Sequence, residues 1–302
     1  MISFVMLCYN RSDIINESIS TILNLSSDIL NDSIELIVVD NNSTDNSKEI
    51  YEKFRHRSNV KIILNGENLG VAKGRNIGIK NCVGEWIYVL DDDSVIDPSA
   101  ITEFLKYKNS DVGIFALNVK NMGNGNYFKD DLIDVEFLSN FYGAAHIINR
   151  KLVDKIGMLD EDCSFGGEEL DYTIRSRKAG MKVKLLEEGV VYHYCLVRSG
   201  STNWERRTKW LYNYTRVINK HFSFKLRIIF STRYMLNYLV GSLSSKSPTL
   251  IFILFKSYIR GIIDGGRINH PMSGDLELKY RSKKMRPQYG NVSLLEKIKS
   301  ML

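Results

Sequence analysis

The sequence predicts an α/β fold, a mostly parallel central sheet with flanking helices, followed by a C-terminal helical region. Three features of the 302 residues point there. Short apolar runs alternate with segments whose apolar residues recur at helical spacing, polar clusters follow the runs instead of interrupting them, and beyond about residue 205 helical spacing continues without further strand-like runs. Strands that alternate with helices argue for parallel pairing through crossovers. The expected division is residues 1–205 for the sheet-bearing domain and 206–302 for a basic, mainly helical region.

Residues 2–7 form the first apolar run, and Tyr9, Asn10, Arg11 and Ser12 break it. Ile14, Ile15, Ile19, Ile22 and Leu23 then share a helical face. The pattern repeats with a strand over 35–39, a polar loop over 40–45 and a helix carrying Ile50, Tyr51 and Phe54. A third strand spans 60–64, and after the turn at 65–70 Val71, Arg75 and Ile79 lie on one helical face. The fourth run, 86–90, leads straight into Asp91, Asp92 and Asp93. Further on, 113–117 is strand-like, 121–126 is a Gly/Asn loop and 150–156 is helical. Residues 170–179 form a helix that Gly180 ends, since glycine is the usual residue just past a helix. Two short strands, 183–186 and 190–193, precede the helical remainder.

Composition is that of an ordinary globular chain, 44% hydrophobic and 25% charged, which excludes disordered and fibrous classes. Cys8, Cys82, Cys163 and Cys195 form no CxxC pair, so neither a thiolate zinc site nor a disulfide framework is expected, and reduced thiols in a cytoplasm fit best. Arg233, Lys246, Lys256 and Arg260 interrupt the most hydrophobic stretch, so no membrane span is expected. The net charge of +6 conceals an asymmetry: residues 1–204 hold 22 basic against 30 acidic residues, and 205–302 hold 19 against 5. The basic part also carries Trp210, Tyr212, Tyr214, Phe222, Phe224, Tyr234 and Tyr238. That mixture suits peripheral attachment to an anionic membrane surface at the cytoplasmic face; a solvated basic helical face is the alternative.

Ligands of parallel sheets bind beyond the carboxyl ends of the strands. This rule alone gathers Tyr9, Asn10, Asp40 and Asp91 to Asp93 around one crevice. Three consecutive carboxylates are costly unless a cation or hydrogen-bond donors neutralise them. Magnesium or manganese, which keeps one or two protein carboxylates and phosphate oxygens as ligands, would do so. Strand alternation puts Asp91 and Asp93 on one side and Asp92 on the other. A second acidic cluster, Glu168, Glu169 and Asp171, stands at the start of a helix, where amide donors and the dipole favour ionised carboxylates. His193 ends a strand, where neutral imidazole could ligate a metal or serve structure alone.

The segments CYNR (8–11), IVVDNNSTDNS (37–47), NLGVAKGRNIGI (68–79), YVLDDDS (88–94), YGAAHIINR (142–150), SFGGEELDYTIRSRKAG (164–180) and VYH (191–193) together resemble glycosyltransferase family 2. The resemblance covers residues 1 to roughly 195. It implies a GT-A-like nucleotide-binding domain and an inverting transfer of a sugar from a nucleotide-diphosphate donor, in cell-surface polysaccharide or glycolipid assembly. Cys8, Tyr9, Asn10, Asp40, Arg75, Asp91, Asp92 and Gly143 would contact the donor, with Asp40 on the base and Arg75 near base or phosphates. Asp93 and His193 would bind manganese or magnesium. Glu169 matches the family's catalytic base, with a glutamate where the family has aspartate, so Glu168 competes for the role. On the residues alone, Asp40 could equally cap a turn, and Arg75 could be a solubilising charge.

The resemblance makes a uridine-diphosphate sugar the default donor and thymidine-diphosphate rhamnose the second choice, with a saccharide or lipid-linked saccharide as acceptor. The competing enzyme class is a metal-dependent sugar nucleotidyltransferase, disfavoured because no glycine-rich phosphate loop followed by a basic residue stands near the N-terminus. Nucleic-acid binding through the basic tail would leave the acidic clusters unexplained, so no nucleic-acid partner is expected. The loop Arg198 to Thr202 is a candidate cover for the diphosphate.

Overall fold

A computed structural model describes residues 1–28, 34–122, 125–126, 138, 140–194, 203–243 and 248–281. Cys195 and the loop from Arg198 to Thr202 lie outside the described residues.

The first half is the expected alternation. Strands β1 (Ile2–Cys8), β2 (Ile34–Asp40), β3 (Val60–Leu64) and β4 (Trp86–Asp91) are separated by helices α1 (Ile15–Asp28), α2 (Ser47–Glu52) and α3 (Val71–Asn81). They pair in parallel in the order β3-β2-β1-β4. The central strands β1, β2 and β4 are mainly apolar because both faces are covered, whereas the edge strand β3 leaves Lys61 and Leu64 exposed. Phe4 and Met6 of β1, Leu36 and Val38 of β2, and Tyr88 and Leu90 of β4 face one core with Ile15, Ile19 and Tyr51. Their neighbours Val5, Ile37, Val39, Ile87 and Val89 face the other with Ala72 and Ile79.

The second half extends the sheet partly through the strand-like runs near 113–117 and 183–193 and partly through elements that apolar runs do not announce. The three-residue strand β5 (Ser94–Ile96) precedes α4 (Pro98–Tyr107), whose first turn is capped by Asp97 accepting from the Ser99 amide at 2.9 Å. Next come β6 (Val112–Asn121), β7 (Gly125–Asn126), β8 (Ala145–Asn149), α5 (Arg150–Ile156), α6 (Glu168–Lys178) and β9 (Lys182–His193). The full order is β3-β2-β1-β4-β8-β6-β9-β5, with β7 on β6. β8 is antiparallel to both β4 and β6, so parallel pairing dominates the first half and gives way to a mixed sheet. The two short strands expected near 183–186 and 190–193 are one strand, β9, whose pairing with β6 shifts register between Leu117 and Asn118. The Gly/Asn stretch expected as a loop begins and ends in strand, Lys120 pairing with Asn126.

Among the described residues four helices follow: α7 (Asn203–His221), α8 (Phe224–Leu243), α9 (Pro248–Arg267) and α10 (Gly274–Tyr280). They build a third core with the underside of α6, from Cys163, Leu170 and Ile174 to Leu211, Val217, Phe222, Leu254 and Tyr280. No described helix is long and apolar enough to cross a membrane.

Candidate active site

Pairing register levels the strand ends. Cys8 stands opposite Asp40, and Leu7 opposite Asp91, so the polar residues after β1, β2 and β4 open into one crevice. His193 arrives from the far side of the sheet, where β9 pairs with β5 and sets it opposite Ser94, one residue past Asp93.

The aspartate triplet divides as strand alternation requires. Asp91, Asp93 and His193 offer ligand atoms that all lie within 4.8 Å of one another. Asp92 turns away and is 1% exposed. It accepts from the Tyr9 amide at 2.7 Å and from Arg11 Nε at 3.3 Å. Arg11, itself buried, also reaches Asp93 at 2.9 Å. Part of the negative charge that calls for a metal is therefore met by a built-in cation. The motif signal overlooked Arg11; a buried position for the basic residue beside a run of three acids follows from charge balance.

Two carboxylates and a histidine suit a manganese or magnesium ion, which prefers oxygen donors. His193 Nε2 stands 3.1 Å from Asp93 Oδ1, while its Nδ1 is 2.9 Å from Asn121 Oδ1. Burial opposes charging of the ring, but the Asp93 hydrogen bond and the charges of Asp91 and Asp93 outweigh it and raise its pKa. The same carboxylates that raise its proton affinity would hold a cation in the proton's place.

Arg75 is not a surface charge. It is 2% exposed, and its guanidinium joins the two acidic clusters. Nη2 meets Asp91 Oδ1 at 2.6 Å and the Gly143 carbonyl at 2.8 Å, and Nη1 meets Glu168 Oε1 at 3.2 Å. The one-turn spacing that placed it on a helix face was legible; its partner 93 residues away was not.

Glu168 and Glu169 open α6. Glu168 is 2% exposed and committed to Arg75, while Glu169 is half-buried. Burial raises both carboxyl pKa values; the charge of Glu169 pushes Glu168 up further, and Arg75 pulls both back without cancelling the rise. This reverses the direction expected from the helix terminus alone, because loss of water outweighs the dipole. Gly143 supports Glu169 from beneath; a methyl carbon added there would stand 2.3 Å from Glu169 Oε1.

Asp40 is fully buried and accepts from the Ser43 amide at 3.0 Å, the geometry of a turn cap, with Lys48 Nζ at 3.8 Å. Tyr9 and Asn10 are half-buried on the crevice rim. Asn10, at a φ of 54°, holds the loop after β2 by accepting from the Thr44 amide at 2.8 Å. Cys8 is fully buried beneath them.

The loop before α6 is fastened from both sides. Val71 at the start of α3 donates to the Ser164 carbonyl at 3.0 Å, and Asn213 of α7 donates to the Phe165 carbonyl at 3.0 Å. Gly166, at φ 75°, lies so close to Trp210 that any side chain would overlap the indole. Below it, Arg216 binds Asp160 at 2.9 Å and Asp162 at 2.6 Å. Lys220 and His221 both reach Asp171 Oδ1 at 2.7 Å. The basic C-terminal region is therefore spent partly on bracing the loop before α6, which its composition alone did not disclose.

The family model "Glycosyl transferase family 2" matches residues 3–172. Among curated proteins, the chain is 33% identical over 160 residues to glycosyltransferase GlyG of Streptococcus pneumoniae, covering 52% of this chain and 48% of that one. It is 34% identical over 99 residues to the poly-beta-1,6-N-acetyl-D-glucosamine synthase of Staphylococcus epidermidis, covering 33% and 23%. The chain thus spans less than half the length of these relatives. Among solved structures, mannosyltransferase PcManGT of Pyrobaculum calidifontis, in complex with GDP-Man and Mn2+, superposes with a TM-score of 0.63 at 15% identity, over 88% of this chain and 84% of that one. Staphylococcus aureus TarS 1-349, in complex with UDP-GlcNAc, superposes with a TM-score of 0.56 at 17% identity, over 96% and 94%. These likenesses establish the GT-A fold. With a family match over more than half its length and the acidic crevice in the matched region, the chain belongs to glycosyl transferase family 2.

Proposed function

We propose that the chain is a metal-dependent, inverting glycosyltransferase that moves a sugar from a nucleotide-diphosphate donor to an acceptor hydroxyl in cell-surface polysaccharide or glycolipid assembly. The observation that carries this reading is the chain Asp93–His193–Asp91–Arg75–Glu168, a group of side chains spaced to hold a cation and joined through one guanidinium to a carboxylate pair. Residues 1–205 are the catalytic domain and 206–302 the basic helical region. A uridine-diphosphate sugar is the preferred donor, thymidine-diphosphate rhamnose the second; TarS with UDP-GlcNAc and PcManGT with GDP-Man support a nucleotide-sugar of some kind.

Asp91, Asp93 and His193 would hold manganese or magnesium, which supplies positive charge against the diphosphate leaving group. Glu169 takes the proton from the acceptor hydroxyl as that oxygen attacks the anomeric carbon and the bond to the diphosphate breaks from the opposite face. Glu169 is preferred over Glu168 because its side chain is the less buried of the two, while Glu168 gives one carboxylate oxygen to Arg75. Cys8, Tyr9, Asn10, Asp40, Asp92 and Gly143 line or support the donor pocket; Asp40 and Asp92 act through the loops they cap.

Attachment to the cytoplasmic face of an anionic membrane is the finer part of the proposal. Phe252, Phe255, Ile259 and Ile263 recur along α9 at helical spacing and stand exposed, Phe252 at 69%, while Leu250 and Leu254 fill the core behind them. An outward apolar stripe on a region of charge +14 matches a lipid surface of opposite sign.

The test is Glu169→Gln. It keeps nucleoside-diphosphate binding with manganese by calorimetry and loses transfer by about a hundredfold or more. Retained turnover would refute the assignment of the base, and pyrophosphate in place of nucleoside diphosphate as product would favour the nucleotidyltransferase class.

A further inference from the structure

Helices α7 and α9 run side by side in the same direction. A Cβ on Gly261 would stand 2.7 Å from the Tyr212 carbonyl, and Gly265 approaches Arg216 one turn further on, so the two backbones nearly touch along this half of α9. Towards their N-terminal ends the pair opens into a cleft of about 410 Å³, closed on its third side by the loop that carries Ser164. Lys209 of α7 and Lys256 and Arg260 of α9 line it, the last two one turn apart, with hydroxyls from Thr208, Ser164 and Ser257 between them. Asp162, the acid among these lining residues, already binds Arg216 at 2.6 Å. Lys209 and Arg260 pair along their own helices, with Glu205 at 3.1 Å and Asp264 at 3.4 Å, contacts at the protein surface that a better anion displaces readily. Three cations converging with hydroxyl donors on one cleft fit a phosphate oxyanion.

The position of the cleft gives that chemistry a use. Ser164 lines the cleft and Glu168 and Glu169 lie four and five residues further on, so one short segment, fixed by Val71 and Asn213, forms a wall of the cleft and leads into the crevice. A group bound there sits between the loop before α6 and the helices α7 and α9, remote in sequence from the strand ends assigned to the donor.

We propose that this cleft binds a phosphate group carried by the acceptor, either the phosphodiester of a polyol-phosphate chain or the diphosphate of a lipid-linked saccharide, and so holds the acceptor beside the base. This rests on the glycosyltransferase reading and adds a class of acceptor to it.

The test uses the full chain with saturating UDP and manganese, so that the donor site is occupied. A synthetic glycerol-phosphate tetramer and geranyl diphosphate are titrated by calorimetry into wild type, Lys209→Gln/Lys256→Gln/Arg260→Gln, and the charge-removing control Lys225→Gln/Arg227→Gln on α8. The expected result is at least a tenfold loss of affinity in the cleft variant alone. A preference for the tetramer assigns a polymer source, and one for geranyl diphosphate a lipid source. Equal loss in the α8 control means general attraction to a basic surface and overturns the proposal, as does no binding to wild type. The single variant Lys256→Gln, expected to lose about threefold, decides the same question should the triple variant fail to fold. Absence of binding of UDP, dTDP and GDP alike to wild type would sink the glycosyltransferase reading instead, and the titrations repeated with chelator would still judge the cleft.

Discussion

Replacing Gly143 by alanine isolates the position of Glu169 from its chemistry. The new methyl carbon would stand 2.3 Å from Glu169 Oε1 and 3.3 Å from its Cδ, while the Arg75 guanidinium lies 3.3 Å away on the other side. Gly143 is not among the positive-φ glycines, so the backbone accepts a side chain. Ordinary contact begins near 3.4 Å, and the difference of about 1.1 Å must be taken up by the flexible end of the glutamate. A displacement of about 1 Å in a reacting group costs on the order of a hundredfold in rate. Stability should change little, within about 1 kcal/mol, because a carboxylate rather than packed backbone gives way. The assay measures sugar transfer under saturating donor, affinity for UDP with manganese, and the melting temperature. Transfer should fall about a hundredfold with the other two unchanged. Transfer within threefold of wild type at an unchanged melting temperature would refute the claim that the placement of Glu169 sets the rate.

Two further outcomes follow from the same geometry. Glu168 and Glu169 both have raised pKa values from burial, and the base must be ionised to accept a proton. Activity is therefore lost as pH falls through a value above the ordinary glutamate range, and an acid limb at or below about 4.5 in the pH–rate profile would contradict it. On anionic liposomes, Phe252→Ser/Phe255→Ser should abolish flotation while sparing soluble turnover. Truncation is the poorer test, since α7 holds Asp160, Asp162 and Asp171 in place; undiminished flotation of the double variant would remove the membrane contact.

The parallel half of the fold was legible because β1, β2 and β4 are buried on both faces and the edge strand β3 on part of its length, so that they are written as mainly apolar runs followed by polar residues. From those ends alone the crevice, with Asp40 and Asp91 to Asp93, could be assembled. β5 is only three residues long, and β8 runs directly into α5 without the turn residues that mark the end of a strand. The site was legible in its acids and obscure in its cations. Asp93 with His193 follows from a motif at each strand end, whereas the pairing of Arg75 with Glu168 spans 93 residues and exists only once α3 and α6 are packed. The brace on the loop before α6 was hidden for a related reason: Arg216, Lys220 and His221 look like any basic helical face until Asp160 and Asp171 are brought beneath them.

Arg11 and Arg75 give the acidic crevice counterions that never leave. On the proposed reading, whenever product and metal leave, the carboxylates have these guanidiniums against which to rest, and like charges need not drive the strand ends apart. A chelator should then silence such an enzyme without melting it, and activity should return on adding back the metal, with no refolding step.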